Sequence, residues 1–190
     1  MTTLQERSRV VTWDDPIECW KAARDLGGID ALRAIESGVI PPPPVARLIG
    51  LEVDQVSEGL VTFAFEPAEY HYSPLGTVHG GILTTVVDSA MGCAVQSLLR
   101  AGLSYTTLEL KVSFLRPVRM TTGRVRGEGK VVHLGGRVAT SEAHLVDADG
   151  ELYAHGTSTC LISAPASRGE GHGEPACGAR MRHLTGALGG

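Results

Sequence analysis

The apolar positions of this chain change their period twice, and each change falls at glycine or proline. Before residue 45 they recur at helical spacing in short bursts. Asp14-Asp15-Pro16 reads as a helix start, an acidic cap with proline near the first helical position, and IECWKAARDL runs on from it to Gly27-Gly28. IDALRAIES is a second short helix that stops at Gly38, and Pro41-Pro42-Pro43-Pro44 make a stiff extended connector. Residues 1–12 show no periodicity and are expected to form a loose arm. Trp13 and Trp20 are expected to be packing residues. Val45 to Ile49 supply one more helical turn.

From Leu51 the period is two. Leu51, Val53 and Gln55 alternate with Glu52, Asp54 and Val56, and LVTFAFEP puts Val61, Phe63 and Phe65 on one face, so Ser57-Glu58-Gly59 joins a hairpin. The loop AEYHYSPLGTVHGG leads into a helical stretch, His79 to Arg100, HGGILTTVVDSAMGCAVQSLLR. Four long alternating stretches follow: SYTTLELKVSFLRPV, TTGRVRGEGKVVHL, GRVATSEAHLVDADG and ELYAHGTSTCLIS. Their turn signals, Pro117, Gly135-Gly136 and Asp149-Gly150, are spaced for an antiparallel meander. A helix of about 20 residues is roughly 30 Å long, and strands of about 10 to 13 residues reach a comparable length. Such strands can wrap the helix from end to end. One face of the last stretch, Ala154, Gly156, Ser158 and Cys160, is small enough to let the helix come close. The pattern predicts an α+β fold in three parts: a helical extension with its proline connector over 1–44, one domain over 45–163, and a flexible tail over 164–190.

Composition narrows the class. With 43% hydrophobic and 20% charged residues the chain has the make-up of an ordinary globular protein, and a net charge of −4 speaks against nucleic acid as a partner. The four cysteines include no CxxC pair, which predicts reduced thiols in a cytoplasmic setting. The first fifteen residues carry charges where a signal peptide would carry its apolar run. Gly81 to Leu99 is the segment closest to a membrane span, but it holds Asp88, and a mid-span aspartate costs roughly 2.5–3.5 kcal/mol, so no membrane partner is expected. His71 and His79 lie too far from other ligand types to make a metal site, and His172, Cys177 and His183 in the tail offer adventitious ligands at most.

The helical stretch carries the chemistry. Between His79 and Arg100 the one formally charged side chain is Asp88, and an ionised carboxylate taken from water without a partner costs several kcal/mol. Aspartate also has poor mid-helix propensity, and Thr84, Gly92 and Gln96 extend a small or polar stripe through it. Asp88 is a general base or nucleophile for hydrolysis, or else a structural carboxylate. At the start of the helix, Gly80-Gly81 present N–H groups without intrahelical acceptors at the positive end of the dipole, where an oxyanion can be held. Gly80 and Asp88 lie about 12 Å apart along the axis, and His79 is about 180° around it from Asp88. One carbonyl cannot reach both groups in one chain, so the two should meet across a symmetric interface between copies. From Leu110 to Thr140 seven basic residues face one acid, Glu128, a local balance of 7 − 1 = +6. Arg124, Arg126 and Arg137 within it are candidates for a phosphate-bearing ligand, with a solvated outer surface as the other reading. A nucleic-acid groove would want interleaved aromatics, and only Phe114 is present.

The runs SPLGTVHGGILTTVVDSAMG and TTLELKVSFLRPV resemble the hotdog-fold acyl-CoA thioesterases of the phenylacetate-degradation (PaaI-like) type, in the hydroxybenzoyl-CoA thioesterase superfamily, over roughly residues 45–163. The resemblance implies a long helix wrapped by an antiparallel sheet, homodimers joined sheet edge to sheet edge, often paired into tetramers, with sites at the dimer interface. It implies hydrolysis of an acyl-CoA or aryl-CoA without metal or cofactor. Asp88 would be the base or nucleophile, the Gly80 N–H would polarise the thioester carbonyl, and His79 would shape the loop or touch that carbonyl. Gly81, His71 and Tyr72 would border the substrate. Ser73 stands where the family commonly has Asn or Gln, and Gly92 where some members have Ser or Thr, while Thr107 matches a hydroxyl position near the acid. A non-catalytic acyl-CoA-binding protein and a hotdog dehydratase or hydratase are the alternatives.

Overall fold

The computed structural model describes residues 5–164, so the tail expected from 164 onward, with His172, Cys177 and His183, lies outside the described residues except for Ala164. The elements are α1 (Pro16–Ala23), α2 (Gly28–Glu36), α3 (Pro44–Ile49), β1 (Glu52–Ser57), β2 (Leu60–Phe65), α4 (Gly80–Ser97), β3 (Ser104–Phe114), β4 (Val125–Leu134), β5 (Val138–Val146) and β6 (Leu152–Ser163). Two 3-10 turns, Glu69–His71 and Met120–Thr122, lie in the loops before α4 and before β4.

All six strands form one antiparallel sheet in the order β1-β2-β4-β5-β6-β3. The expected four-strand meander is therefore only three strands long. β3 pairs with β6 at the far edge, and the segment from Pro117 to Gly123 is a crossover to β4 rather than a hairpin turn. The alternation in β3 and β4 predicts strands equally well for either arrangement; pairing partners are fixed by which strands can close over α4.

Leu83, Val86, Val87, Ala90, Met91, Ala94 and Val95 of α4 are at most 3% exposed. The first five pack with residues such as Val61, Phe65, Val125, Ala143, Leu145 and Ala154 from the sheet, and Val95 packs with Ala139, Cys160 and Ile162. Burial of each large aliphatic side chain contributes roughly 1.5–3 kcal/mol. The helix lies close because the strands beneath it are stripped of side chains. A Cβ on Gly156 would come within 2.6 Å of Val87 Cγ1, and one on Gly127 within 2.9 Å of Val86 Cγ1. A Cβ on Gly129 would overlap the Ala90 carbonyl. Ala154, Gly156, Ser158 and Cys160 are all buried, as their small size predicts, and β4 contributes Gly127 and Gly129 to the same effect.

The extension is tied to this core. The Gly28 N–H donates to the Leu99 carbonyl at 2.8 Å, closing the far end of α4, and Leu32 is 5% exposed within the main core. The described part of the arm is docked, contrary to expectation. The Arg9 guanidinium donates to the Leu48 and Arg47 carbonyls at 2.8 and 3.1 Å, satisfying the end of α3, and lies 4.0 Å from the Tyr70 ring centre. Arg7 pairs with Glu69 at 3.2 Å. The two tryptophans do not pack as expected: Trp13 is 60% and Trp20 48% exposed, and α1 buries no residue.

Candidate active site

The start of α4 is set by His79. With φ −64° and ψ 136° it stands just outside the helix as the cap, and its Nδ1 accepts the Gly81 N–H at 2.9 Å. The His79 carbonyl accepts the Ile82 N–H at 2.9 Å. The expected pair of free donors is thus reduced to one. Gly81 is taken by the cap, and the Gly80 N–H has no acceptor among the described residues. Gly80 is also where the Phe114 ring from the end of β3 comes in, 3.2 Å from where a Cβ would stand.

Two turns further on, Thr107 of β3 donates its Oγ1 hydrogen to Asp88 Oδ1 at 3.0 Å. Asp88 is half-buried, and its Oδ2 has no hydrogen-bond or ion-pair partner among the described residues. Alternation along β3 puts Tyr105 on the same side as Thr107. The Tyr105 ring lies across Gly92, where any Cβ would overlap it. No side chain at position 92 would fit beneath that ring. Sequence reasoning passes over Tyr105, although its two-residue spacing from Thr107 is a readable signal.

Two thiols lie near Asp88, and burial disfavours the thiolate of each. Burial pushes the Cys93 thiol up to about 12, with a Tyr105 hydrogen bond opposing and the Asp88 charge adding to it. Burial likewise raises Cys160, against hydrogen bonds to Ser158 and Thr107. The Tyr105 hydroxyl is raised well above its usual range, chiefly by burial and then by Cys93 and Asp88. Around this helix face Asp88 Oδ2 is the carboxylate oxygen left without a hydrogen-bond partner among the described residues.

The loop residues expected to border the substrate are occupied in holding the loop. The His71 ring accepts the Ala68 N–H at Nδ1 (3.0 Å) and meets the Ile49 carbonyl at Nε2 (2.9 Å). Burial lowers its pKa, partly opposed by the bond to Ile49 and reinforced by Arg9. The Tyr72 hydroxyl accepts the Met120 N–H at 2.8 Å. Ser73 Oγ accepts the Leu75 N–H at 3.3 Å, while its own N–H donates to the Thr77 carbonyl at 2.7 Å. Together these bonds fix the approach to His79.

The three arginines do not form one cluster in a chain. Arg124 forks between Glu52 Oε2 and Asp54 Oδ1, both at 3.1 Å, and the Asp54 bond leads the causes that raise its pKa. Arg126 pairs with Glu128 at 3.2 Å. Arg137 is exposed in the turn beyond the other end of β4, a strand of 10 residues that spans roughly 30 Å at about 3.3 Å per residue. Among the described residues no group of three or more His, Cys, Asp or Glu side chains could hold a metal ion, and no helix is long and apolar enough to cross a membrane.

Residues 75–154, which contain Gly80, Asp88, Thr107 and Phe114, match the Thioesterase superfamily. A protein of Halobacterium salinarum named a putative esterase is 34% identical over 122 residues, 62% of this chain and 78% of that protein. The phenylacetic acid degradation protein PaaI of Thermus thermophilus, solved as a mutant, is 30% identical, with 63% of this chain and 98% of that one covered and a TM-score of 0.57. The E. coli PaaI protein, at 19% identity and a TM-score of 0.60, covers 66% of this chain and 88% of its own and shares the fold. A six-stranded sheet curled around one long helix, with these matches, places the chain in the Thioesterase superfamily, hydrolases of thioesters, with the hotdog fold.

Proposed function

We propose that the chain hydrolyses an acyl-CoA or aryl-CoA thioester to the free acid and CoA, as a homodimer or a pair of homodimers. The observation that carries this is the coordination of Asp88: one oxygen is anchored by Thr107, and the other is unclaimed on a half-buried helix face. The anchor orients the carboxylate, and the free oxygen is available to a water or to the substrate.

In the base reading, Asp88 takes a proton from water and the resulting hydroxide adds to the thioester carbonyl. The oxyanion forms against the Gly80 N–H of a second copy, at the positive end of its α4. Collapse breaks the C–S bond, and the leaving thiolate takes up the proton that Asp88 removed from water, which restores the carboxylate. In the nucleophile reading, Asp88 itself adds to the carbonyl and the C–S bond breaks, releasing CoA thiolate and leaving an anhydride. Water cleaves that anhydride to the free acid and the regenerated Asp88 carboxylate, the water proton going to the thiolate. Both readings need the second copy, because Gly80 and Asp88 of one α4 lie about 12 Å apart along its axis. The free edge of β3, which carries Thr107 and Phe114, is the edge through which such a copy would join. Among the three arginines, Arg137 is the one without an acidic partner among the described residues, so it is assigned to the CoA phosphates.

The test is thiol release from a panel of CoA and carrier-protein thioesters. Native protein should turn over at least one of them, and Asp88→Asn should lower turnover by about 10²–10⁴ with the fold and oligomer intact. Near-normal hydrolysis by the purified variant refutes the assignment. Binding of thioester to both proteins with turnover by neither would identify an acyl-CoA-binding protein instead. CoA affinity should weaken with added salt and in Arg137→Glu.

A further inference from the structure

The sheet face beneath α4 carries more polarity than close packing requires. Alanine or glycine lets the helix approach at Ala139, Ala143, Ala154 and Gly156. In the same layer, however, stand Ser158 and Cys160 of β6 and Ser141 of β5, all buried. A hydroxyl taken out of water is a cost unless it is hydrogen-bonded, so packing alone does not account for them.

The strand register supplies a reason. Thr107 of β3 stands directly opposite Cys160, and Ser158 directly opposite Ser141. Residues so opposed share a face, with Cβ atoms about 4.5–5.5 Å apart. The Cys160 thiol is hydrogen-bonded to Thr107 on one side and to Ser158 on the other, with 3.8 Å between Ser158 Oγ and Cys160 Sγ. Thr107 Oγ1 in turn meets Asp88 Oδ1 at 3.0 Å. A single line of polar atoms therefore runs from Ser158 through Cys160 and Thr107 to Asp88.

The direction of each proton in that line follows by elimination. An ionised carboxylate only accepts, so the Thr107 hydrogen goes to Asp88. Thr107 Oγ1 is left with lone pairs alone, and the Cys160 S–H must donate to it. The thiol hydrogen is then spent, so the Ser158 O–H donates to Sγ. Burial favours the protonated thiol that this order needs. Ser141 Oγ, buried and without a partner among the described residues, stands opposite Ser158, whose oxygen is left free to accept.

We infer that Cys160 is a positioning residue: by donating to Thr107 it fixes the hydroxyl that anchors Asp88 Oδ1, and so aims the unclaimed Oδ2 at what arrives. The inference rests on the hydrolytic reading of Asp88 and adds to it the side chains that hold the carboxylate's geometry. It also gives the polar atoms of β6 a task that alanine could not perform.

The experiment combines Raman spectra in the S–H stretching region with steady-state kinetics on the native chain, Cys160→Ala, Cys160→Ser, Thr107→Val and the double variant Thr107→Val/Cys160→Ala, with thermal melts to show that each is folded. The Cys160 band is the one absent from both Cys160 variants. It should lie at the lowered frequency of a donor in the native chain and move up in Thr107→Val. Cys160→Ala should lower kcat about three- to fivefold with KM unchanged, and Cys160→Ser, which keeps a donor, should recover most of the loss. Because Cys160 acts through Thr107, the alanine should cost nothing further in the Thr107→Val chain. A Cys160 band at the free frequency in the native chain, an equal loss in both backgrounds, or no recovery with serine each overturns the inference and leaves hydrolysis standing. No turnover of any thioester by the native chain sinks the hydrolytic reading and the positioning role with it, and the Raman shift then decides whether the line of hydrogen bonds exists.

Discussion

Two aspartates, one on α4 and one at the β5–β6 turn, are held in opposite ways. Asp147, 8% exposed, accepts the Asp149 and Glu151 N–H groups at Oδ1 and the Tyr153 hydroxyl at Oδ2, all at 3.0 Å. Burial pushes its pKa up, but the bonds from Glu151, Tyr153 and Asp149 outweigh that and hold it below the usual carboxylate value. Asp88 has one hydroxyl donor and an oxygen with no partner among the described residues. A carboxylate whose lone pairs are met by its own chain builds structure, since buried polar groups are normally satisfied. One left short in an apolar helix is available to something that arrives.

Exchanging the two side chains' fates is the strongest way to break that contrast. Asp88→Asn, which still accepts from Thr107, should lower kcat by about 10²–10⁴ with no fall in the thermal midpoint. Asp147→Asn should lower the midpoint and leave kcat alone. If both variants lost stability and neither lost rate, the contrast would be void. Gly80→Pro comes next, and it deletes a donor without breaking a helix. Gly80 is the first residue of α4, where proline is favoured, and His79 before it is already extended. Turnover should fall by about 10²–10³. Mixing it with Asp88→Asn should restore about one quarter of native activity by random pairing of subunits; no recovery would place both groups in one chain's site.

Thr107→Val sharpens the comparison further by leaving Asp88 with no donor at all. A fall of about tenfold in kcat is expected, the equivalent of one hydrogen bond to a charged group at roughly 1.5 kcal/mol. Unchanged rates would make Thr107 a bystander. The smallest effect is in the acid range, read by thermal melts from about pH 7 down to about pH 2. His71 has a folded pKa below its ordinary value. Its contribution is present above the unfolded value of about 6.5 and is lost as pH falls below it toward the folded value. Asp147, also lowered, keeps its contribution until pH falls below its ordinary carboxylate value, and loses it as pH passes through the folded one. His71→Gln should remove the first decline and Asp147→Asn the second. A single decline untouched by either variant would contradict both assignments.

The sequence made α4, the β1–β2 hairpin and the small face of β6 legible, because each has one period and one reason. It did not disclose the neighbour of β3, since alternation in SYTTLELKVSF specifies a strand but not a partner. Gly127 and Gly129 are equally visible as two glycines on one strand face, a sign of close backbone approach whose meaning emerges only with α4 above them. Asp88 and Gly80 can be singled out because their chemistry is anomalous for their surroundings. His71, Tyr72 and Ser73 sit beside the motif, and only coordinates show that their polar atoms are spent on the loop. The basic run from Lys111 to Arg137 concealed its own neutralisation, because Glu52 and Asp54 lie about seventy positions from Arg124.

The three glycines under α4 carry a consequence for how this chain can change over generations. A library of variants sorted only for folded protein should be depleted at Gly127, Gly129 and Gly156 while tolerating many residues at Asp88. Sorted for turnover, the same library should lose diversity at Asp88 too. The difference between the two surviving populations would separate the positions inherited for shape from those inherited for chemistry. By that measure Gly129, which does no chemistry, is the less replaceable residue.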